Sequence, residues 1–303
     1  MQAEGIPGFA LTYAAPAKIN LALHVVGQRA DGHHLLESLV TFTDFGDRIG
    51  LAPADIDRFT VSGRFSQDLP LSADDRRGNL VLRARDLLRR GLTAEGRATS
   101  PVHLHLEKNL PIASGVGGGS ADAAATLRGL LTFWGASMTP ARLKSLALEL
   151  GADVPMCLDG GPLLAKGIGE ETTPIPRLPS FPIILVNPRV AVSTPVIFRM
   201  LVEKTNSPLA LPRSARTRAE WIAAMANMRN DLEPPARALE PVIGDVSGAL
   251  KAAGARLVRM SGSGATCFGL FDSDDDAERA AEGISAAHTG WYVVAARTVG
   301  KEG

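Results

Sequence analysis

The stretch Leu110-Pro-Ile-Ala-Ser-Gly115-Val-Gly-Gly-Gly-Ser120-Ala-Asp-Ala-Ala-Ala125 decides how the rest of the chain is read. Four glycines in the five residues from Gly115 to Gly119 add nothing to a core and are costly to order. They mark backbone that passes close to something or adopts positive φ. A helix is predicted to follow, with Ser120 as its N-cap and Ala124, Leu127, Leu131 and Trp134 recurring on one face. The first N–H groups of a helix have no carbonyl partners and lie at the positive end of its dipole, a combination that suits a phosphate. Nucleotide phosphate binding is therefore the first function the loop predicts.

Two well-known phosphate loops do not fit. A Walker loop ends in Gly-Lys-Ser/Thr, and no lysine lies between Lys108 and Lys144. A dinucleotide loop needs G-x-G-x-x-G. Gly115-Val-Gly-Gly-Gly-Ser120 lacks its last glycine, and no acidic residue stands about 20 residues further on. A flexible linker is the competing reading, but linkers are seldom followed at once by a capped amphipathic helix.

Composition narrows the classes. At 303 residues the chain is long enough for about two domains, each with its own core. Lys plus Arg and Asp plus Glu stand at 32 each, which gives no overall electrostatic footprint for nucleic acid or an anionic membrane. Two cysteines, Cys157 and Cys267, make no disulfide framework, and no charged-then-apolar leader opens the chain, so a cytoplasmic protein is expected. No apolar run approaches the roughly 20 residues that span a bilayer.

Working outward from the loop, Val102, Leu104 and Leu106 alternate with His103 and His105, a strand with one wet face that delivers Lys108 to the glycines. Before it, Asn79 to Leu92 is predicted as a helix capped by Asn79 and ended by Gly91, and Ile49 to Val61 as a strand pair. Leu69 to Gly78 is a polar connection, and residues 1–10 a loose tail. The strand Leu11–Val26 puts Ile19, Leu21 and Leu23 on one side and Lys18, Asn20 and Ala22 on the other. A turn over residues 28–32 leads to His33 and His34, which point to opposite sides on extended backbone and so do not form a paired metal site.

After the loop, Thr139-Pro140 opens a further helix that Gly151 ends. Ala152-Asp153-Val154-Pro155 then sets a carboxylate in an apolar run, where it needs either backbone N–H partners or a chemical purpose. Pro174, Pro176, Pro179 and Pro182 mark the expected crossing between a domain over 1–172 and a second over 173–303. Beyond it a buried strand is predicted over Phe181–Val186, a polar loop over 203–219, and helices over Trp221–Met228, Pro241–Ala253 and Ala277–Ala287. Strands over Leu257–Met260 and Thr266–Phe271 flank a second small-residue loop, Ser261-Gly-Ser-Gly264-Ala, and a last strand covers Trp291–Ala296. This alternation predicts an α+β second half.

Three separated stretches, Pro16-Ala-Lys18-Ile-Asn20-Leu, Pro111 through Ala125, and Met260-Ser-Gly-Ser-Gly264-Ala, resemble in order the three motifs of the GHMP kinases. The resemblance runs from about Ala15 to Phe271. It implies an α+β, two-domain GHMP kinase fold with the active site in the cleft between domains. The first domain would bind ATP and the second would serve the substrate side. Arg29-Ala-Asp-Gly-His-His34, Gly151-Ala-Asp-Val-Pro155 and Ser193-Thr-Pro-Val-Ile-Phe198 are similar to the members that phosphorylate the 2-hydroxyl of a cytidine diphosphate-linked methylerythritol in isoprenoid precursor synthesis.

What the resemblance implies for residues follows position by position. Asp153 would orient and deprotonate the hydroxyl, with Lys18 beside it to stabilise charge on the transferring phosphoryl. Pro111, Ala113, Ser114, Gly115, Val116, Gly117, Gly118, Gly119 and Ser120 would hold ATP, with Asn79 and Lys108 near the nucleoside. Asn20, His33, His34, Thr194 and Phe198 would line the substrate pocket, His34 contacting cytosine and Phe198 stacking on it. ATP with Mg²⁺ and a small-molecule acceptor are the implied ligands; the metal's protein ligands and the oligomeric state are left open.

Two positions depart from the family pattern. His33 stands where a stacking tyrosine is usual, and Ala121 replaces a second serine. The competing functions are another GHMP kinase of the homoserine or mevalonate type and a nucleotide-binding regulator without chemistry.

Overall fold

A computed structural model describes residues 5–69 and 78–300. Most of the polar connection read over Leu69–Gly78, and the first four residues of the tail, lie outside them. The chain forms two compact units, each discontinuous in sequence. One takes residues 1–17, 46–112 and 117–159; the other takes 18–45, 113–116 and 160–303. Two long strands, β1 (Leu11–Gln28) and β2 (His34–Pro53), run through both units.

In the first unit a strand leads up to the residues before the glycine loop. The strand β4 (Val102–Glu107) lies between the Arg48–Pro53 part of β2, antiparallel, and β3 (Arg58–Ser62), parallel. The strand pair read over Ile49–Val61 is thus two strands that both pair with β4 rather than with each other. Among the described residues, the α-helices of this unit are α1 (Leu80–Ala94), α2 (Gly118–Phe133), α3 (Pro140–Leu150) and α4 (Val154–Asp159). The Asn79 side chain accepts the N–H of Val81 and of Leu82, the predicted cap, worth about 1 kcal/mol. Gly91 does not end α1, which runs on to Ala94 with Gly91 packed toward Leu146. Thr139 caps α3 and Gly151 follows its last residue, as the sequence indicated. Buried Ala121, Ala123, Ala124, Ala125 and Leu127 make α2 the central helix, in contact with α1, α3 and α4.

His105 is buried, and the predicted wet face of β4 is covered there. Its Nδ1 bonds Thr60, its Nε2 bonds Ser62, and its ring lies 5.0 Å from that of Phe9. Residues before Leu11 supply this lid, so the tail is partly packed.

In the second unit, Leu36–Val40 of β2 pairs with β5 (Leu163–Gly167), which pairs with β6 (Glu171–Pro174). A separate antiparallel sheet has the order β10 (Tyr292–Arg297), β7 (Pro182–Asn187), β9 (Cys267–Leu270), β8 (Leu257–Met260). The helices of this unit are α5 (Thr194–Met200), α6 (Arg218–Ala226), α7 (Glu233–Leu239), α8 (Val242–Ala252) and α9 (Asp274–Ala287). The strands β5 and β6 and the helix α7 are too short to leave a periodic signal, and the sequence reading missed them. Helices α8 and α9 cover the sheet over a core of Ile184, Val186, Ile243, Val246, Leu250 and Phe271. Each fully buried aliphatic or aromatic side chain there contributes about 1.5–3 kcal/mol.

Among the described residues no helix is long and apolar enough to cross a membrane.

Candidate active site

The glycine loop does not start its helix as expected. Gly117, at φ 65°, is the N-cap, and Gly118 and Gly119 are the first helical residues; Ser120 lies inside the first turn. No side chain caps this end, and the first intrahelical bond is from Ala121 N–H to the Gly117 carbonyl. The N–H groups of Gly118, Gly119 and Ser120 precede it at the positive end of the dipole, the arrangement that binds phosphate. A serine cap would have occupied one of these donors, which is a physical reason for glycine here.

Within the second unit, three stretches far apart in sequence are knitted around the first half of the loop. The Lys18 N–H donates to the Val116 carbonyl at 2.8 Å. The Ser261 hydroxyl donates to the Gly115 carbonyl at 3.0 Å and accepts the Asn20 N–H at 3.1 Å. Thr266 N–H donates to the Ser114 carbonyl at 3.2 Å. Gly115, at φ 77°, is the residue this geometry requires, because a Cβ there would lie 2.4 Å from the Ser261 carbonyl oxygen. Ala113 also adopts positive φ, 50°, in this pinned loop. Pro111, Ser114 and Val116 are buried. Asn230 supports the second small-residue loop by donating to the carbonyls of Met260 and Gly262, both at 2.8 Å.

The Asn20 amide is fixed but only partly satisfied. Its Nδ2 donates to Ser38 at 2.7 Å, which fixes the amide, and its Oδ1 is buried with no hydrogen-bond partner. Lys18 and Asn20, which share one side of β1, are both buried.

The structure separates the two neighbouring histidines. His34, not His33, packs on Phe198, with ring centroids 4.8 Å apart and planes at 25°. Its Nε2 is buried without a partner, and burial, followed by the charges of Lys204 and His33, holds the ring below the usual histidine pKa. A neutral imidazole results. His33 is 63% exposed and turns to the Asp31 carboxylate at 3.2 Å. Thr194, at the start of the helix that carries Phe198, bonds Ser263 at 2.7 Å, so the aromatic pair is tied to the second loop.

In the first unit Asn79 is occupied as the α1 cap, and α1 begins beside α2, with Leu80 3.4 Å from where a Gly119 Cβ would stand. The Lys108 ammonium is buried between Asp47 at 2.5 Å and Asp122 at 2.7 Å. Burial works against its charge, but Asp122 and Asp47 outweigh that and raise its pKa. Asp153 stands immediately before α4, half-buried, its carbonyl accepting the Cys157 N–H.

Ser38, Ser261, Thr266, Asn230, Asp47 and Asp122 were not singled out individually from the sequence. Each acts through a partner distant in sequence, apart from the side-chain contact of Asp122 with Lys108 fourteen residues away.

Family models match on both sides of this arrangement: the GHMP kinases N terminal domain over residues 79–161 and the GHMP kinases C terminal over 210–289. The chain belongs to the GHMP kinases and is a small-molecule kinase. It is 75% identical over 303 residues, 100% of both chains, to the 4-diphosphocytidyl-2-C-methyl-D-erythritol kinase of Rhizobium meliloti (strain 1021). It is 58% identical over 287 residues, 94% of this chain and 95% of the other, to the protein of that name from Agrobacterium fabrum (strain C58 / ATCC 33970). A crystal structure of 4-(cytidine 5'-diphospho)-2C-methyl-D-erythritol kinase superposes with a TM-score of 0.77 at 34% identity, covering 96% of this chain and 100% of that one. Homoserine kinase from Cytophaga hutchinsonii shares the fold, with a TM-score of 0.67 at 22% identity over 96% of this chain and 95% of that one.

Proposed function

We propose that this chain transfers the γ-phosphoryl group of ATP to the 2-hydroxyl of 4-diphosphocytidyl-2-C-methyl-D-erythritol, in the cytoplasm. The observation that carries the choice of acceptor is the His34–Phe198 pair: a planar apolar face beside a neutral ring whose buried Nε2 has no partner. A pyrimidine offers a face to stack and an edge to hydrogen-bond. The orphaned Asn20 Oδ1 supports a second contact, to a donor such as a substrate hydroxyl. Thr194 would complete this set, and exposed His33 would act at its margin.

In the proposed reaction Asp153 orients the acceptor hydroxyl and takes its proton as the oxygen attacks the γ-phosphorus. The bond to the β-phosphate oxygen breaks, and ADP leaves with the charge. Lys18 offsets charge on the transferring group, and the N–H groups at the start of α2, with the loop from Pro111 to Gly117, hold the phosphates. Asn79 lies toward the nucleoside, and Lys108 acts behind the loop. The N-terminal domain over 1–172 would supply the ATP loop together with Asn20, His33 and His34, and the domain over 173–303 the Thr194 and Phe198 part of the substrate pocket. Among the described residues no group of three or more His, Cys, Asp or Glu side chains is placed to hold a metal. Mg²⁺ suits phosphate oxygens and water, so it is proposed to arrive with ATP.

The test is ATP-dependent phosphorylation of the cytidyl substrate with the product mass measured, beside homoserine and mevalonate. A gain of one phosphoryl group on the cytidyl substrate is expected. Phosphorylation of homoserine or mevalonate in its place would sink the proposal, and tight ATP binding with no transfer to any alcohol would favour the regulator.

A further inference from the structure

Directly beneath the phosphate loop lies a buried cluster with one cation and two carboxylates. Lys108, Asp47 and Asp122 are exposed by 3%, 1% and 3%. The Lys108 Nζ is also close to the first residue of α2, 3.1 Å from where a Gly118 Cβ would stand. Asp47 Oδ1 accepts the N–H of Asn109 at 2.6 Å and of Leu110 at 2.8 Å, so it fixes the chain entering the loop. Asp122 fixes the helix leaving it. Its Oδ1, however, is buried with no partner, which makes it the surplus carboxylate.

We propose that Asp47, Lys108 and Asp122 are positioning residues for the ATP loop, and that the charge on Asp122 sets how tightly the loop holds phosphate. This rests on the kinase reading above. With both carboxylates ionised the cluster carries one net negative charge next to donors meant for an anion; with a proton on Asp122 it is neutral. The field of a buried charge is poorly screened, so the nucleotide at the loop feels the difference.

The cluster is placed to hold that proton. Burial pushes the Asp122 carboxyl well above the usual range, Lys108 pulls it back, and Asp47 adds to the rise. Of the charges on the surrounding helices, Arg85 and Arg89 of α1 face Asp57, Lys144 of α3 faces Asp159 of α4, and Arg128 of α2 donates to the Ala14 carbonyl.

The experiment is calorimetric binding of ATP with Mg²⁺, without acceptor, from pH 6 to 9 on the full chain and on Asp122→Asn. Both proteins are measured at each pH. The wild-type Kd should rise with pH by a factor at least about threefold larger than the rise seen for Asp122→Asn, whose amide has no such proton to lose. At pH 9 Asp122→Asn should bind the tighter of the two. Superimposable profiles overturn the proposal, as does weaker binding by folded Asp122→Asn at every pH. If Asp122→Asn fails to fold, Asp47→Asn takes its place, leaving Asp122 as the sole carboxylate on Lys108. The weakening with pH should then be lost, and its persistence counts against the proposal. Failure of ATP to bind at all would overturn the kinase reading as well, whereas ATP binding with superimposable profiles would leave that reading standing.

Discussion

The Ser261 hydroxyl donates to the Gly115 carbonyl oxygen across 146 residues of sequence, and the same oxygen of Ser261 accepts the Asn20 N–H. One side chain thus joins the second small-residue loop to the phosphate loop and to the strand that carries Lys18. Ser261→Ala leaves the Gly115 carbonyl and the Asn20 N–H without this partner, a loss of about 1–3 kcal/mol for each polar group left unsatisfied. The expected outcome is a lower urea midpoint and an ATP KM raised several-fold. An unchanged ATP KM would show that the loop keeps its shape without the latch.

Phe198 and His34 make the next prediction. Phe198→Leu keeps an apolar side chain but removes the ring that faces His34 at 4.8 Å. The aromatic pairing is worth about 0.5–1.5 kcal/mol beyond area, so KM for the cytidyl substrate should rise about 2–10-fold while KM for ATP stays within twofold. His33→Ala should change neither by more than twofold, because that ring faces Asp31 and solvent. A larger loss at His33 than at Phe198 would reverse the assignment of the two histidines.

These histidines show where the sequence was legible and where it was not. The strand, glycine loop and helix were readable from period and glycine content, because both are local properties. So were the Asn79 and Thr139 caps, whose partners lie within three residues. That His34 rather than His33 meets Phe198 depends on which face of β2 turns to α5, a tertiary fact without local signal. The start of α2 at Gly118 was misread because Ser120 is a good cap by type, while an uncapped glycine end serves an anion better. Lys108 was assigned to the nucleoside, yet its two acidic partners come from another strand and from the helix beyond the loop, so their convergence could not be read from spacing.

Asp153 stands at the start of α4, with its backbone carbonyl in that helix's first bond to Cys157. Asp153→Asn preserves the shape and removes the carboxylate proposed as the base. General-base catalysis contributes about 10²–10⁴-fold, so kcat should fall by that order while ATP affinity stays within about twofold. The comparison is steady-state turnover beside calorimetric ATP binding, and undiminished turnover removes Asp153 from the mechanism.

His24 supplies a prediction about stability. It is buried in β1, and its Nε2 accepts the Arg229 N–H at 3.2 Å, so the proton sits on Nδ1, which donates to the Ser207 carbonyl at 3.1 Å. Protonation would leave the bond to Ser207 in place but remove the acceptor of the Arg229 N–H, so that second bond exists only while the ring is neutral. Burial holds its pKa below the usual value; the Ser207 bond and Asp231 oppose this, and Arg229 and Arg259 add to it. The unfolded chain takes this proton first as pH falls, so the contribution is fully present above about pH 6.5 and is lost through the lower folded pKa. Urea midpoints measured from pH 7.5 down to 5 should fall more steeply for the wild type than for His24→Leu, which cannot titrate there. Parallel curves would mean that His24 titrates alike in the folded and unfolded chain, so that neither its burial nor its bond from Arg229 favours the neutral ring.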